Sequence, residues 1–141
     1  MPIASFYTLP PTLLTPHEQQ RGMCRVIAKV WQVMGEADIL CPDRETGQIM
    51  DDLLWTFQAG AFVPHVRGTG ESIRIHDGGV WPLQSKALVL CGLDELPTPV
   101  PACERLIDFI PVAEQTRDLA RERYKRLKNA GFTMQVHPLE V

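Results

Sequence analysis

No Cys-x-x-Cys pair occurs in the 141 residues, and the four cysteines, Cys24, Cys41, Cys91 and Cys103, have no histidine near them at zinc-ligand spacing. Neither a zinc site nor the disulfide framework of a small secreted protein is expected; free buried thiols are. No apolar run approaches the ~20 residues of a membrane-spanning helix, and no basic region followed by an apolar one opens the chain. A cytoplasmic protein with no membrane partner is the expectation. Phosphate-binding loops are missing too. The nearest approach, "RGTGE" at Arg67 to Glu71, lacks the Gly-Lys-Ser/Thr ending of a P-loop and the third glycine of a dinucleotide fingerprint. It leads into strand-like "SIRIH" rather than a helix, so it reads as a flexible turn. His17, His65, His76 and His137 are scattered, with no nucleophile elbow and no recognisable carboxylate pair. His65, which follows Phe-Val-Pro, reads as a positioned structural histidine. Asp43 and Asp51-Asp52 read as solvated helix surface, because adjacent carboxylates on a helix diverge by about 100 degrees. No catalytic group, metal or cofactor is expected.

What is present fits one domain over residues 1–141, with 45% hydrophobic and 22% charged residues. "ASFYTL" (Ala4 to Leu9), closed by Pro10-Pro11, predicts a strand. Thr15-Pro16 with Glu18 resembles a capped helix start, and Met23, Val26, Ile27, Val30 and Met34 then recur at helical spacing before Gly35. "ADILCP" predicts a second strand and Arg44 to Phe57 a second helix. After Ala61 to His65, the segment Val66 to Gly79 reads as loop with a short strand at Ser72 to His76. "KALVLCG" (Lys86 to Gly92) is a near-continuous apolar strand of the kind buried in a sheet centre. A proline-rich connection follows, then a strand at Glu104 to Pro111, a helix from Ala113 to Ala130 stopped by Gly131, and a closing strand at Phe132 to His137. This alternation predicts an α/β fold of three layers, a mostly parallel sheet flanked by helices.

The formal net charge of -3 speaks against a general nucleic-acid binder. Against that background, "LARERYKRLKNAG" (Leu119 to Gly131) concentrates five basic side chains between Arg121 and Lys128. At about 100 degrees per residue, Arg117, Arg121, Tyr124 and Lys128 fall within about 60 degrees, with Lys125 just beyond. Leu119, Ala120, Leu127 and Ala130 are expected on the opposing side. Asp118 and Glu122 are expected outside the stripe, leaving like charges side by side, which is unfavourable unless an anion is supplied. Most charge runs are solvated faces balanced by nearby acids. A forked Arg pair beside Tyr, by contrast, suits a carboxylate-bearing partner that also buries an apolar group. Trp55 and Phe62, flanking "TFQAGA", are open to two readings: core packing or an exposed partner anchor.

Taken together, "LLWTFQAGAFVPH", "LIDFIP" and "RDLARERYKRLKNAGF" resemble the chi subunit family of bacterial DNA polymerase III, and the resemblance runs over essentially the whole chain. It implies a Rossmann-like α/β protein without a nucleotide site, acting as a replisome adapter. Members bind the acidic C-terminal tail of single-stranded DNA-binding protein, which ends in an apolar residue and a free carboxylate. They also bind the small psi subunit of the clamp-loader complex. The resemblance carries the tail contacts to Arg121, Tyr124 and Lys125, with Ile110 as the apolar wall and Arg117 as a further basic contact; Lys128 completes the stripe. Arg117 and Ile110 stand where some relatives have lysine and valine. The psi contacts fall on Trp55 and Phe62, a surface that another protein such as a helicase could also take. Two competing expectations remain. A small nucleotide- or nucleic-acid-processing enzyme could use the basic helix to hold phosphates, but it would need the catalytic groups and phosphate loop that are missing. Direct binding of single-stranded DNA is expected to be weak or absent, because it calls for stacking aromatics interleaved along a basic groove and only Tyr124 is placed for that.

Overall fold

The alternation of strand-like and helix-like segments becomes a single seven-stranded sheet in the computed structural model, which describes residues 1–140. In chain order the elements are β1 (Ile3–Thr8), α1 (Pro16–Met34), β2 (Ala37–Leu40), α2 (Arg44–Thr56), β3 (His65–Arg67), β4 (Ile73–His76), β5 (Gln84–Leu90), β6 (Ala102–Ile110), α3 (Glu114–Asn129) and β7 (Thr133–Pro138). The strands lie in the order β3-β4-β2-β5-β6-β1-β7, and every described pairing is parallel. The α/β, Rossmann-like arrangement is therefore as expected, with a sheet that is wholly rather than mostly parallel. Strand β3, read from the sequence as loop, is the one unexpected strand. It has three residues and stands directly before the glycine turn, so its backbone finds its partner only in β4, where His65 sits beside Ile73.

Local chemistry sets the helix ends. Thr15 caps α1 by accepting the Glu18 backbone N–H at 3.1 Å, and the Glu18 carboxylate reaches back to accept the Thr15 hydroxyl at 3.3 Å and the Leu14 N–H at 3.4 Å, a variant of the capping box. Gly35 ends the helix with φ +83, a left-handed conformation costly for residues with a Cβ. Asp43 caps α2 through the Thr46 N–H at 2.8 Å, which replaces the expectation of a merely solvated carboxylate. That hydrogen bond lowers the Asp43 carboxyl below its ordinary pKa.

Two apolar clusters occupy opposite faces of the sheet because strand side chains alternate. On one face, Cys24, Ile27, Met50 and Leu54 of α1 and α2 pack against Ile39, Ile73, Val89 and Ile107. On the other, Leu127 of α3 joins Phe6, Leu40, Leu88 and Leu106, with Trp81, Leu96 and Val100 of the connections packed around them. No described helix is long and apolar enough to cross a membrane.

One polar residue interrupts the buried β2 strand. Asp38 accepts from Arg74 Nε at 2.9 Å and Nη2 at 3.0 Å, from the Ser85 hydroxyl at 2.5 Å, and meets His76 Nε2 at 2.7 Å. Burial works against its charge, but the bonds from His76, Arg74 and Ser85 outweigh it and hold the carboxyl well below the usual carboxylate range. A depressed folded-state pKa contributes stability that is complete above the unfolded value near 3.8 and drains away as pH falls below it. Asp38→Asn should therefore be less stable than wild type at pH 7, and the difference should shrink as pH is lowered from about 5 towards 2. Urea denaturation across that range checks this; a difference that stays constant with pH would show that Asp38 contributes no charge-linked stability.

Candidate partner-binding surfaces

Helix α3 is poor in apolar residues, and its buried side chains are Ala120, Leu127 and, unexpectedly, Arg123. Leu119 is only half-buried and Ala130 is exposed, so the packed face is rotated from the one expected. On the helical wheel Arg123 lies about 40 degrees beyond Leu127, next to the packed face. Its partner was visible too, as the lone carboxylate in the apolar strand "LIDFIP". Arg123 Nε donates to Asp108 Oδ2 at 2.7 Å and Nη2 to Oδ1 at 3.2 Å, a bidentate fork, while Nη1 donates to the carbonyls of Leu93 at 2.7 Å and Asp94 at 3.2 Å. Burial raises the Asp108 carboxyl, opposed by the Arg123 bonds and charge and by the Phe109 N–H.

With Arg123 turned inward, the basic stripe faces out. Arg121, Lys125 and Lys128 are exposed and Arg117 half-buried. Tyr124 is fixed by edge-to-face packing on buried Phe6, ring centroids 5.3 Å apart, and both Tyr124 and Ile110 lean on the same core cluster. The structure thus brings the six side chains Ile110, Arg117, Arg121, Tyr124, Lys125 and Lys128 onto α3 and the end of β6, the strand that leads into it. The expected isolation of the acids is corrected. Arg121 reaches Asp118 and Lys125 reaches Glu122, both at 3.6 Å, because i,i+3 residues are neighbours on a helix. These pairs are long and solvent-exposed, a type that contributes ~0–1 kcal/mol and exchanges readily for another anion. Arg117 and Lys128 have no acidic partner within 4.0 Å among the described residues, and Arg117 Nε is buried without any acceptor.

A second surface lies at the end of α2. Trp55 is 55% and Phe62 63% exposed, and their rings sit 6.0 Å apart. Trp55 also packs at 4.4 Å on the ring of His65, whose side chain is fully buried. His65 is held by Val63 O at 2.6 Å and Asp51 O at 3.0 Å, the structural role read from the sequence. Its ring supports the indole from beneath. All four cysteines are free. Burial pushes Cys24 and Cys41 up to about 12, half-buried Cys103 to about 11 and Cys91 well upward, which keeps them as inert thiols. Among the described residues no group of His, Cys, Asp and Glu could hold a metal ion.

The family model described as "DNA polymerase III chi subunit, HolC" matches residues 1–135. The chain belongs to the DNA polymerase III chi subunit family. Three curated relatives carry the name DNA polymerase III subunit chi. The protein of Escherichia coli K12 is 31% identical over 79% of this chain and 80% of its own length. That of Haemophilus influenzae is 29% identical over 79% and 81%, and that of Pseudomonas aeruginosa 25% identical over 95% and 94%. Membership makes the chain an accessory subunit of a DNA replication polymerase. Among solved structures, that described as "The crystal structure of T4 UvsW" superposes with a TM-score of 0.58 at 15% identity. The match covers 99% of this chain but only 42% of that one, a likeness of fold alone.

Removing Arg123 while leaving Asp108 buried should be severe, since an unpaired buried charge costs about 3–5 kcal/mol. Arg123→Met should show that loss in urea denaturation, and the double variant Arg123→Met/Asp108→Leu should recover much of it. A loss below about 1 kcal/mol for Arg123→Met would mean that the pair does not seat α3.

Proposed function

We infer that the chain is a non-catalytic adapter of the DNA polymerase III holoenzyme, acting in the cytoplasm. On this proposal α3 holds the acidic C-terminal tail of single-stranded DNA-binding protein, and Trp55 with Phe62 holds the psi subunit of the clamp-loader complex. The two contacts together link the clamp loader to coated template. The observation that supports the tail site best is the stripe itself: exposed Arg121, Lys125 and Lys128 and half-buried Arg117 on one helix face, beside Tyr124 and Ile110. Cations there would meet the tail's carboxylates, and the tyrosine ring and isoleucine would cover its terminal apolar side chain. Support for the psi site is the exposed aromatic pair, since large aromatic side chains dominate interface energetics yet are seldom left in water without a partner.

A titration with a peptide copying the tail tests the first contact. Arg121→Ala should weaken binding by roughly 1.5–3 kcal/mol, the worth of a charge-assisted hydrogen bond, with the fold intact. Near-wild-type affinity in the folded variant would remove Arg121 from the site. Binding should also fall as salt rises past 0.15 M, where the Debye length is ~8 Å, yet a residue should persist from the unscreened apolar contact. Amidating the terminal carboxylate should cost more than removing one upstream acid; equal losses would indicate a diffuse electrostatic patch.

For the second contact, Trp55→Ala and Phe62→Ala should each lower psi capture in a pull-down while tail affinity stays unchanged. Loss of both partners together with a lowered melting temperature would assign these aromatics to the core instead.

A further inference from the structure

A cleft of about 540 Å³ separates α1 from the end of the sheet formed by β6, β1 and β7. Arg25 and Lys29 line it from the helix, and Tyr7, Arg105, Gln135 and His137 from the strands. Tyr7 and α1 belong to one sheet face and α3 to the other, so this cleft is separate from the basic stripe. Among the described residues, none of Arg25, Lys29 and Arg105 has an acidic partner within 4.0 Å. Glu140 is the one acid in the described lining. Gln135 adds to the donors. Its Oε1 accepts the Ser5 hydroxyl at 3.3 Å and lies 3.3 Å from His137 Nε2, which leaves the amide NH₂ for something else.

The spacing of these groups suits a chain rather than a point charge. Arg25 and Lys29 stand one helical turn apart, about 6 Å along the axis. Arg105 is level with Ile3, and His137 with Tyr7 four residues further along β1, so the polar lining extends over about 13 Å of strand. A single phosphate or carboxylate could engage only part of it. Aromatic surface accompanies the charge, with the half-buried Tyr7 ring 5.4 Å from the exposed His137 ring and backed by the buried ring of Phe109 at 6.2 Å. Acidic side chains alone would use the cations and not the rings, whereas every nucleotide carries both groups, a phosphate for the cations and a base for the exposed ring faces of Tyr7 and His137. We propose that this cleft binds a short stretch of single-stranded DNA. In a protein of net charge -3 the site is local, which confines the contact to this groove instead of spreading it over the surface.

The test is fluorescence anisotropy of a labelled deoxythymidine oligomer with the full chain, in parallel with the acidic tail peptide, free thymidine monophosphate and an abasic oligomer. The oligomer should bind at low salt, with a log–log salt slope of about -2 for three cations on single-stranded DNA. Lys29→Ala should reduce that slope by about 0.7, and the double variant Arg25→Glu/Lys29→Glu should abolish binding. Tyr7→Leu should weaken the thymidine oligomer about fivefold or more and leave the abasic one unchanged, a difference that general loss of structure would not produce. Arg121→Ala should leave oligomer binding untouched. The proposal is overturned if the oligomer does not bind at low salt, or if the Arg25/Lys29 variant binds it normally. It is also overturned if Arg121→Ala removes oligomer binding, if the monophosphate binds as tightly as the oligomer, or if the cleft variants lose the acidic peptide instead.

Discussion

The bidentate pair between Arg123 and Asp108 is the contact on which the outer face of this protein depends. α3 offers the sheet only one large buried apolar side chain, Leu127, with Ala120 beside it. Burial on that scale contributes only a few kcal/mol, too little to fix a helix in one rotation. The guanidinium fork adds direction, because its planar geometry accepts the Asp108 carboxylate in one orientation. Its remaining donor ties down the Leu93 and Asp94 carbonyls, so the connection after β5 is anchored by the same side chain. Rotating α3 by one residue would expose Leu127 and bury a different cation. The stripe of basic residues therefore points where it does because another basic residue of the same helix, Arg123, points the other way.

The cations sort into two groups, which resolves the oddity of a basic helix in an acidic chain. Arg123, Arg74 and Arg67 are consumed by the fold, each in contact with a buried or half-buried carboxylate, Asp108, Asp38 and Asp77. Those of α3 and of the α1 cleft have exposed partners or none. An overall charge of -3 hides this division, since it sums acids and bases that do not meet. Local surfaces of positive sign can coexist with a negative total because that total sums the whole chain, whereas a partner senses charge only within about a Debye length.

Most of the architecture was legible in the residues. Thr15 and Glu18, Gly35 and Gly131 marked helix ends by chemistry that acts over three or four positions, and the apolar runs at Ile39 and Val89 could only be buried strands. What was not legible depends on contacts made across the fold. β3 exists because β4 is there to pair with it. Asp43 as a cap, and the reach of Asp118 and Glu122 into the stripe, turn on side-chain geometry rather than residue type. Arg123 was the instructive miss. A basic residue in a basic run reads as surface, and only its angular position beside Leu127, taken with the lone Asp108 in an apolar strand, distinguishes it. Of the candidate sites, the α3 stripe and the Trp55–Phe62 pair were visible as residue types. The α1 cleft was not, because Arg25, Lys29, Arg105, Gln135 and His137 are brought together from three distant parts of the chain.

The order of the strands also carries a history. β1 leaves the ribosome before the other six strands of the sheet, yet its two neighbours are β6 and β7, with Ile3 lying between Arg105 and Thr133. At about 5–20 residues per second, roughly a hundred residues of synthesis separate β1 from its first partner, an interval of about 5–20 seconds. Through that time its apolar residues Ala4 and Phe6, fully buried in the finished molecule, have no permanent partner. β2, β4 and β5 lie together on the other side of β6 and can pair as they emerge. During synthesis β1 can take its place between β6 and β7 only after both of those strands have emerged.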